Sequence, residues 1–395
     1  MSIFDKANSY TLPEETKARG IYPYFQPIQE STATEARIAG EWKIMVGSNN
    51  YLGLTHHPRV LAAAAAAMHR YGSGSTGSRF LNGTLDLHEE LEERFAKFFH
   101  KEAALVFTTG YQASLGAIAT LAGRGDHLFL DRLDHASLVD AARLGFAEVH
   151  RYPHGDFASL GRQLASAPEH APKLVISDGV FSMEGTVIDL PALVAVTKEH
   201  GAQLLIDEAH ALGVLGDNGA GTARHFGMER DVDLVLATFS KSLASVGGVV
   251  AGPARALSYI RHHARALIFT ASMPPASLAG VLAALDVMRD EPERRERLWK
   301  NTRRVAEGLR SLGFEIGATE TPIIPVLAGD MWRALTLWRA LFDAGVFTHP
   351  IVPPAVPPDR CRIRVSMSAE HSDEQIDFVL AAFAKVARAL PVGDL

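Results

Sequence analysis

One cysteine, Cys361, stands in 395 residues. An intramolecular disulfide and a cysteine-built zinc site are thereby excluded, and the thiol reads as a buried structural one in a reducing compartment. There is no dense run of lysine and arginine, and the net charge is −6, so the basic face of a nucleic-acid binder is missing. No stretch approaches the ~20 apolar residues that cross a bilayer, and Met1 to Tyr10 lacks the apolar core of a signal peptide. These absences predict a cytoplasmic protein without a transmembrane segment, with peripheral membrane contact left open. The histidines, His56-His57 and His262-His263 included, show no i,i+4 pairing with a carboxylate, so no metal site is expected.

With 47% hydrophobic and 21% charged residues, the chain has the composition of a globular enzyme of two or three domains. Pro58 opens an alanine-rich helix to Tyr71, and a second helix over 86–100 starts with Asp86 and Glu89 in capping spacing. The apolar runs Ala104–Phe107, His127–Leu130, Lys173–Ser177, Gln203–Ile206 and Leu234–Thr238 alternate with helical patterns. That alternation predicts an α/β fold with a mostly parallel sheet. Beyond about residue 290 come a charged helix (Glu291–Leu312), a smaller βαβ-like region, a stiff proline-rich loop over 350–358 and a helix from Ser372 to Leu390. The domain reading is an arm over 1–55, a large domain over 56–290 and a small α/β domain over 291–395.

Ligands of such sheets sit beyond the carboxyl ends of the strands, so the polar residues after each run carry the chemistry. Thr238-Phe239-Ser240-Lys241 puts a lysine behind a buried strand, where reduced solvation makes an amine a Schiff-base nucleophile, and two hydroxyls beside it for a phosphate. Asp207-Glu208-Ala209-His210 ends another strand with an acid that needs a buried cation, such as a pyridinium nitrogen. A helix cap and a packed core histidine are the plainer accounts of that pair. His135 in Asp134-His135-Ala136-Ser137 is placed to stack on a ring or simply to cap a helix. Thr109-Gly110-Tyr111 opens a helix whose free N–H groups suit a phosphate. Gly72-Ser73-Gly74-Ser75-Thr76-Gly77 satisfies a dinucleotide fingerprint, but it follows a helix where that fingerprint requires a strand.

Taken in order, Gly47 to Leu54, Asp134 to Ser137, Asp178 to Gly185, Asp207 to His210 and Thr238 to Lys241 resemble the signatures of the α-oxoamine synthases, a branch of the fold-type-I pyridoxal 5′-phosphate enzymes. The likeness runs from about Gly20 to the C-terminal helix. It implies a large parallel-sheet domain with a smaller C-terminal α/β domain, a pyridoxal 5′-phosphate cofactor, and a homodimer with shared sites. By the same resemblance Lys241 holds the cofactor as a Schiff base, His135 stacks on its ring, Asp207 pairs with the ring nitrogen and His210 reaches the ring hydroxyl. Gly110, Tyr111, Thr238 and Ser240 would hold the phosphate, with Thr270 and Ser272 lent to the partner's. Ser182 and Asn49 fall near cofactor and substrate, and Arg364, two residues beyond Arg362, matches the arginine that takes the amino-acid carboxylate.

Segments 20–28, 77–84 and 238–245 are most similar to soluble bacterial members that condense L-serine with palmitoyl-CoA. Alanine with a pimeloyl thioester and glycine with acetyl-CoA are the rival pairs in the family, and a non-catalytic cofactor-binding protein is the rival outside it. Ile21, Tyr22, Tyr24, Phe25 and Ile28 either line a groove for a long acyl chain or pack the arm in place.

Overall fold

The computed structural model describes residues 2–318 and 320–389. The chain folds into two compact units, one of residues 49–182 and 186–296, the other of the segment up to Ser48, residues 183–185 and the chain from Arg297 onward. The bound set at Leu390 for the last helix and the end of the small domain lie outside the described residues. Among those residues no helix is long and apolar enough to cross a membrane.

The larger unit is built on a seven-stranded sheet in the spatial order Ala103–Phe107, Gly248–Gly252, Leu234–Thr238, Gln203–Asp207, Lys173–Asp178, His127–Asp131, Glu148–Tyr152. Only Gly248–Gly252 runs against both neighbours. The remaining pairs are parallel, as expected of strands buried on both faces. Leu128, Leu130, Ile176, Leu205 and Leu236 project from one face onto Ala113, Ala117, Ile118 and Leu138 of helices Gly110–Leu121 and Ala136–Leu144. This packing fixes where each strand stops and the following loop begins.

Helix Pro58–Tyr71 has the bounds its sequence predicts. Helix Asp86–Phe98 starts one residue earlier than a capping Asp86 would place it, with Leu85 at the cap. The Leu85 N–H donates to His88 Nδ1 at 3.0 Å, while the Asp86 carboxylate accepts from Arg70 and Tyr71. The imidazole thus does the capping expected of Asp86 and Glu89.

In the smaller unit a three-stranded antiparallel sheet, Ile323–Gly329, Cys361–Ser366, His349–Ile351, carries helices Met331–Asp343 and Asp373–Ala389. His371 is buried there, with Nδ1 accepting the Ser368 N–H at 3.0 Å and Nε2 donating to the Met45 carbonyl at 3.1 Å. Both nitrogens are satisfied only in the neutral ring, and burial holds its pKa down to about 4 from 6.5. An unfolded histidine binds its proton near 6.5, so the folded state holds fewer protons between the two values. Stability from this site is complete above pH 6.5 and falls as pH drops toward 4, by on the order of 3 kcal/mol. Urea denaturation at pH 7 and 4.5 should show that loss in the wild type and a clearly smaller one in His371→Gln; equal losses would refute it.

Candidate active site

A cavity of about 430 Å³ opens at the carboxyl ends of the central strands of the larger unit. Gly110, Tyr111, His135, Ser182, Asp207, His210, Thr238, Ser240 and Lys241 all line it, so residues up to 131 positions apart in sequence meet there. Thr109, Ser137 and Asp178, which the sequence marks only as polar residues after strands or beside a motif, line it too.

One end is built for an anion. The helix Gly110–Leu121 points its first turn at Thr238, and a Cβ on Gly110 would stand 2.7 Å from the Thr238 side chain. A Cβ on Gly248 would stand 2.6 Å from Gly110 Cα, so both positions require glycine for backbone to approach backbone. Thr238 Oγ1 and Ser240 Oγ lie 2.9 Å apart beside these N–H groups. Tyr111 contributes its place at the helix start, since its hydroxyl donates to Asp140.

The other end is acidic and dry. Asp178 and Asp207 are paired in register as the last residues of adjacent strands. Burial and the Asp207 charge hold the Asp178 carboxyl well above the carboxylate range. Burial also raises Asp207, but Lys241 and His135 oppose that rise and the Ala209 N–H donates to its Oδ1 at 2.8 Å. Negative charge therefore settles on Asp207. Asp178 spends its Oδ2 on the His135 N–H at 2.8 Å, and Asp134 accepts the Asp178 N–H at 2.9 Å.

His135 caps helix Ala136–Leu144, and it also lines the cavity. Its Nδ1 accepts from the Ser137 N–H at 3.2 Å and stands 2.8 Å from Ser137 Oγ, which the Ser114 hydroxyl approaches at 3.0 Å. That network orients the ring. Burial lowers the pKa of His135, with Asp207 acting against and Lys241 with the shift. His210 is held at Nδ1 by the buried Tyr51 hydroxyl, 2.7 Å away. Spacing alone could not reveal this contact, because 159 positions separate Tyr51 from His210.

The remaining predicted residues lie off the cavity lining. Asn49 Oδ1 is 3.4 Å from the Tyr51 hydroxyl. Thr270 accepts from Gln112 Nε2 at 3.1 Å, which leaves its hydroxyl as a donor. Ser272 is buried, with its hydroxyl 2.7 Å from the Gly77 carbonyl and 2.6 Å from that of Gly83. Arg364 is buried on strand Cys361–Ser366 of the smaller unit. Arg362 is committed there to the Met183 carbonyl at 3.0 Å and to Glu184 at 3.4 Å.

This donor set suits pyridoxal 5′-phosphate: a glycine-lined helix start with two hydroxyls for the phosphate, a buried carboxylate, Asp207, for the ring nitrogen, and the amine of Lys241 in the same cavity. The family model for aminotransferase class I and II matches residues 41–383. A serine palmitoyltransferase of Sphingobacterium spiritivorum is 46% identical over 393 residues, covering 100% of this chain and 98% of that one. An 8-amino-7-oxononanoate synthase of Symbiobacterium thermophilum is 42% identical, covering 95% and 96%. A solved structure of SPT with a PLP internal aldimine superposes with a TM-score of 0.95 at 38% identity, covering 99% of this chain and 98% of that one.

Proposed function

The chain belongs to the aminotransferase class I and II family, and from that premise we propose that it is a serine palmitoyltransferase of the α-oxoamine synthase branch. Its reaction joins the Cα of L-serine to the thioester carbonyl of palmitoyl-CoA, breaks the C–S bond to release CoA, and breaks the bond from Cα to the carboxylate to release CO₂. The product is 3-oxosphinganine. The observation that carries the enzyme assignment is the meeting of Lys241, Asp207, His135 and His210 in one cavity.

Pyridoxal 5′-phosphate is the cofactor, and when bound it supplies an electron sink for a carbanion at Cα. We assign its phosphate to Gly110, Tyr111, Thr238 and Ser240, its ring face to His135, its ring nitrogen to Asp207 and its ring hydroxyl to His210. Lys241 would hold it covalently, and the Lys241 Nζ is the group assigned to take the Cα proton of serine. Ser182 stays assigned to the cofactor and Asn49 to the substrate by resemblance. Arg364 is assigned to the serine carboxylate by resemblance, and Arg362 beside it contacts the Met183 carbonyl and Glu184.

The working form is a cytoplasmic homodimer. Phe269, 74% exposed, and Leu81, 79% exposed, flank the segment assigned to the partner's phosphate and favour cover by a second copy. In that segment the assignment rests on Thr270, because the Ser272 hydroxyl is engaged by its own chain. The acyl chain is assigned to the arm, where Tyr24, Phe25 and Ile28 expose apolar surface.

The full-length relatives of the serine enzyme favour serine and palmitoyl-CoA, while the 42% identity to an oxononanoate synthase keeps alanine with a pimeloyl thioester as the second reading. A CoA-release assay crossing serine, alanine and glycine with acetyl-, pimeloyl-, decanoyl- and palmitoyl-CoA tests both. Each buried methylene is worth about 0.8 kcal/mol, so kcat/KM with serine should climb steeply from decanoyl to palmitoyl. A maximum for alanine with pimeloyl-CoA would replace the substrate pair and leave the cofactor chemistry standing.

A further inference from the structure

We propose that His127, Glu148 and His150 form a second ligand site, a three-ligand chelate for a divalent transition ion of the Zn²⁺ type at the edge of the seven-stranded sheet. The site stands at the amino ends of its strands, and the cofactor cavity at the carboxyl ends.

His127 and Glu148 face each other in register across the parallel pair, and His150, two residues on, projects from the same face as Glu148. His127 Nδ1 and His150 Nε2 are 3.0 Å apart, with Glu148 oxygens 3.8 and 3.6 Å from them. One donor atom from each residue falls within 4.8 Å of the others. Ligands at tetrahedral zinc stand about 3.3 Å from one another, so the donors have a fitting spacing, and the two rings close on an ion by turning off the line that joins their nitrogens.

The imidazoles are already oriented. His150 lies flat on Phe129, centroids 4.7 Å apart at 12°, and meets His127 edge to edge, centroids 5.3 Å apart at 19°. Two nitrogens and one carboxylate select zinc, cobalt or nickel over the oxygen-seeking Mg²⁺ and Ca²⁺. Glu148 is 67% exposed, which gives the ion an approach from solvent and an open fourth position. The strand Glu148–Tyr152 is hydrogen-bonded to the sheet along one side only, so an ion here would clip the edge strand to its neighbour. A scan for histidines at helical i,i+4 spacing misses such a set, because its ligands come from two strands.

The simplest competitor is a hydrogen bond, one imidazole N–H donating to the other nitrogen. Isothermal titration of ZnSO₄ into the pyridoxal phosphate-loaded protein separates the two, with Co²⁺ as a spectroscopic probe. The expected result is a Zn²⁺ site of one ion per chain whose affinity falls at least about tenfold in both His150→Gln and Glu148→Gln. The cofactor's visible absorption should be unchanged in both, showing that the fold and the cavity are intact. Co²⁺ should give tetrahedral d–d bands with the wild type that His150→Gln lacks, and Mg²⁺ should not compete. Equal Zn²⁺ affinity and stoichiometry in wild type and His150→Gln, or no uptake by the wild type, would leave the hydrogen-bonded pair and overturn the proposal. Loss in His150→Gln alone would remove Glu148 from the ligand set and overturn it as stated.

Discussion

Lys241→Ala should fold, retain pyridoxal phosphate only non-covalently, show the band of the free aldehyde in place of the imine band of the wild type, and turn over about 10³-fold more slowly or worse. Among the described residues Lys241 is the one lysine that lines the cavity, so no neighbouring amine can take over either the anchoring or the proton transfer. Its charge also tunes its neighbours: it pulls the carboxyl pKa values of Asp207 and Asp178 down and pushes the His135 pKa down. Without it, both carboxyls rise further and His135 becomes easier to protonate, so the variant loses the chemistry and the charge balance together. Borohydride reduction of the wild type followed by peptide mapping should place the cofactor on the peptide that contains Lys241. A label on another lysine, or an unchanged visible spectrum in the variant, would contradict the assignment.

The strands that carry the site are legible because uninterrupted apolar runs such as Leu204-Leu205-Ile206 end abruptly in a polar residue, and burial on both faces demands that pattern. Glu148–Tyr152 escapes because an edge strand keeps Glu148 and Val149 exposed and so has no apolar run. Gly248–Gly252 escapes for another reason. Its first glycine looks like turn punctuation, yet it serves close packing against Gly110 in the middle of the sheet. At the cavity, local motifs single out Lys241, Asp207, His210 and His135 because each lies at or just past the end of a strand. The groups that hold these side chains are not local. Tyr51 reaches His210, and Asp178 reaches the His135 N–H over 43 positions, through contacts that exist only once the sheet has formed. The Asp86–Glu89 spacing matches a cap, but Leu85 stands at the cap: His88 takes the Leu85 N–H, while the Asp86 carboxylate takes the Leu87 N–H and accepts from Arg70 and Tyr71.

Asp207→Asn should separate catalysis from folding. The substitution preserves shape, and an amide oxygen can still accept the Ala209 N–H that Oδ1 accepts at 2.8 Å. It removes the one negative charge in the cavity that Lys241 and His135 favour. It also removes the charge that, after burial, does most to raise the Asp178 carboxyl, so the cofactor-free variant should melt no lower than the wild type and may be compared with it directly. A protonated ring nitrogen needs that carboxylate in a site closed to water. With a neutral amide in its place the ring loses its proton, and with it the capacity to hold a carbanion at the serine Cα. Turnover should fall on the order of 10²–10³-fold, the cost of losing a charge aimed at a developing charge, while serine affinity changes little. Exchange of the serine Cα proton with deuterated solvent, measured without acyl-CoA, should slow in parallel, because that step depends on the sink and not on the thioester. Near-normal exchange and turnover in Asp207→Asn would make the carboxylate a structural group, held in place by burial and its strand partner rather than by the cofactor's electronic demand.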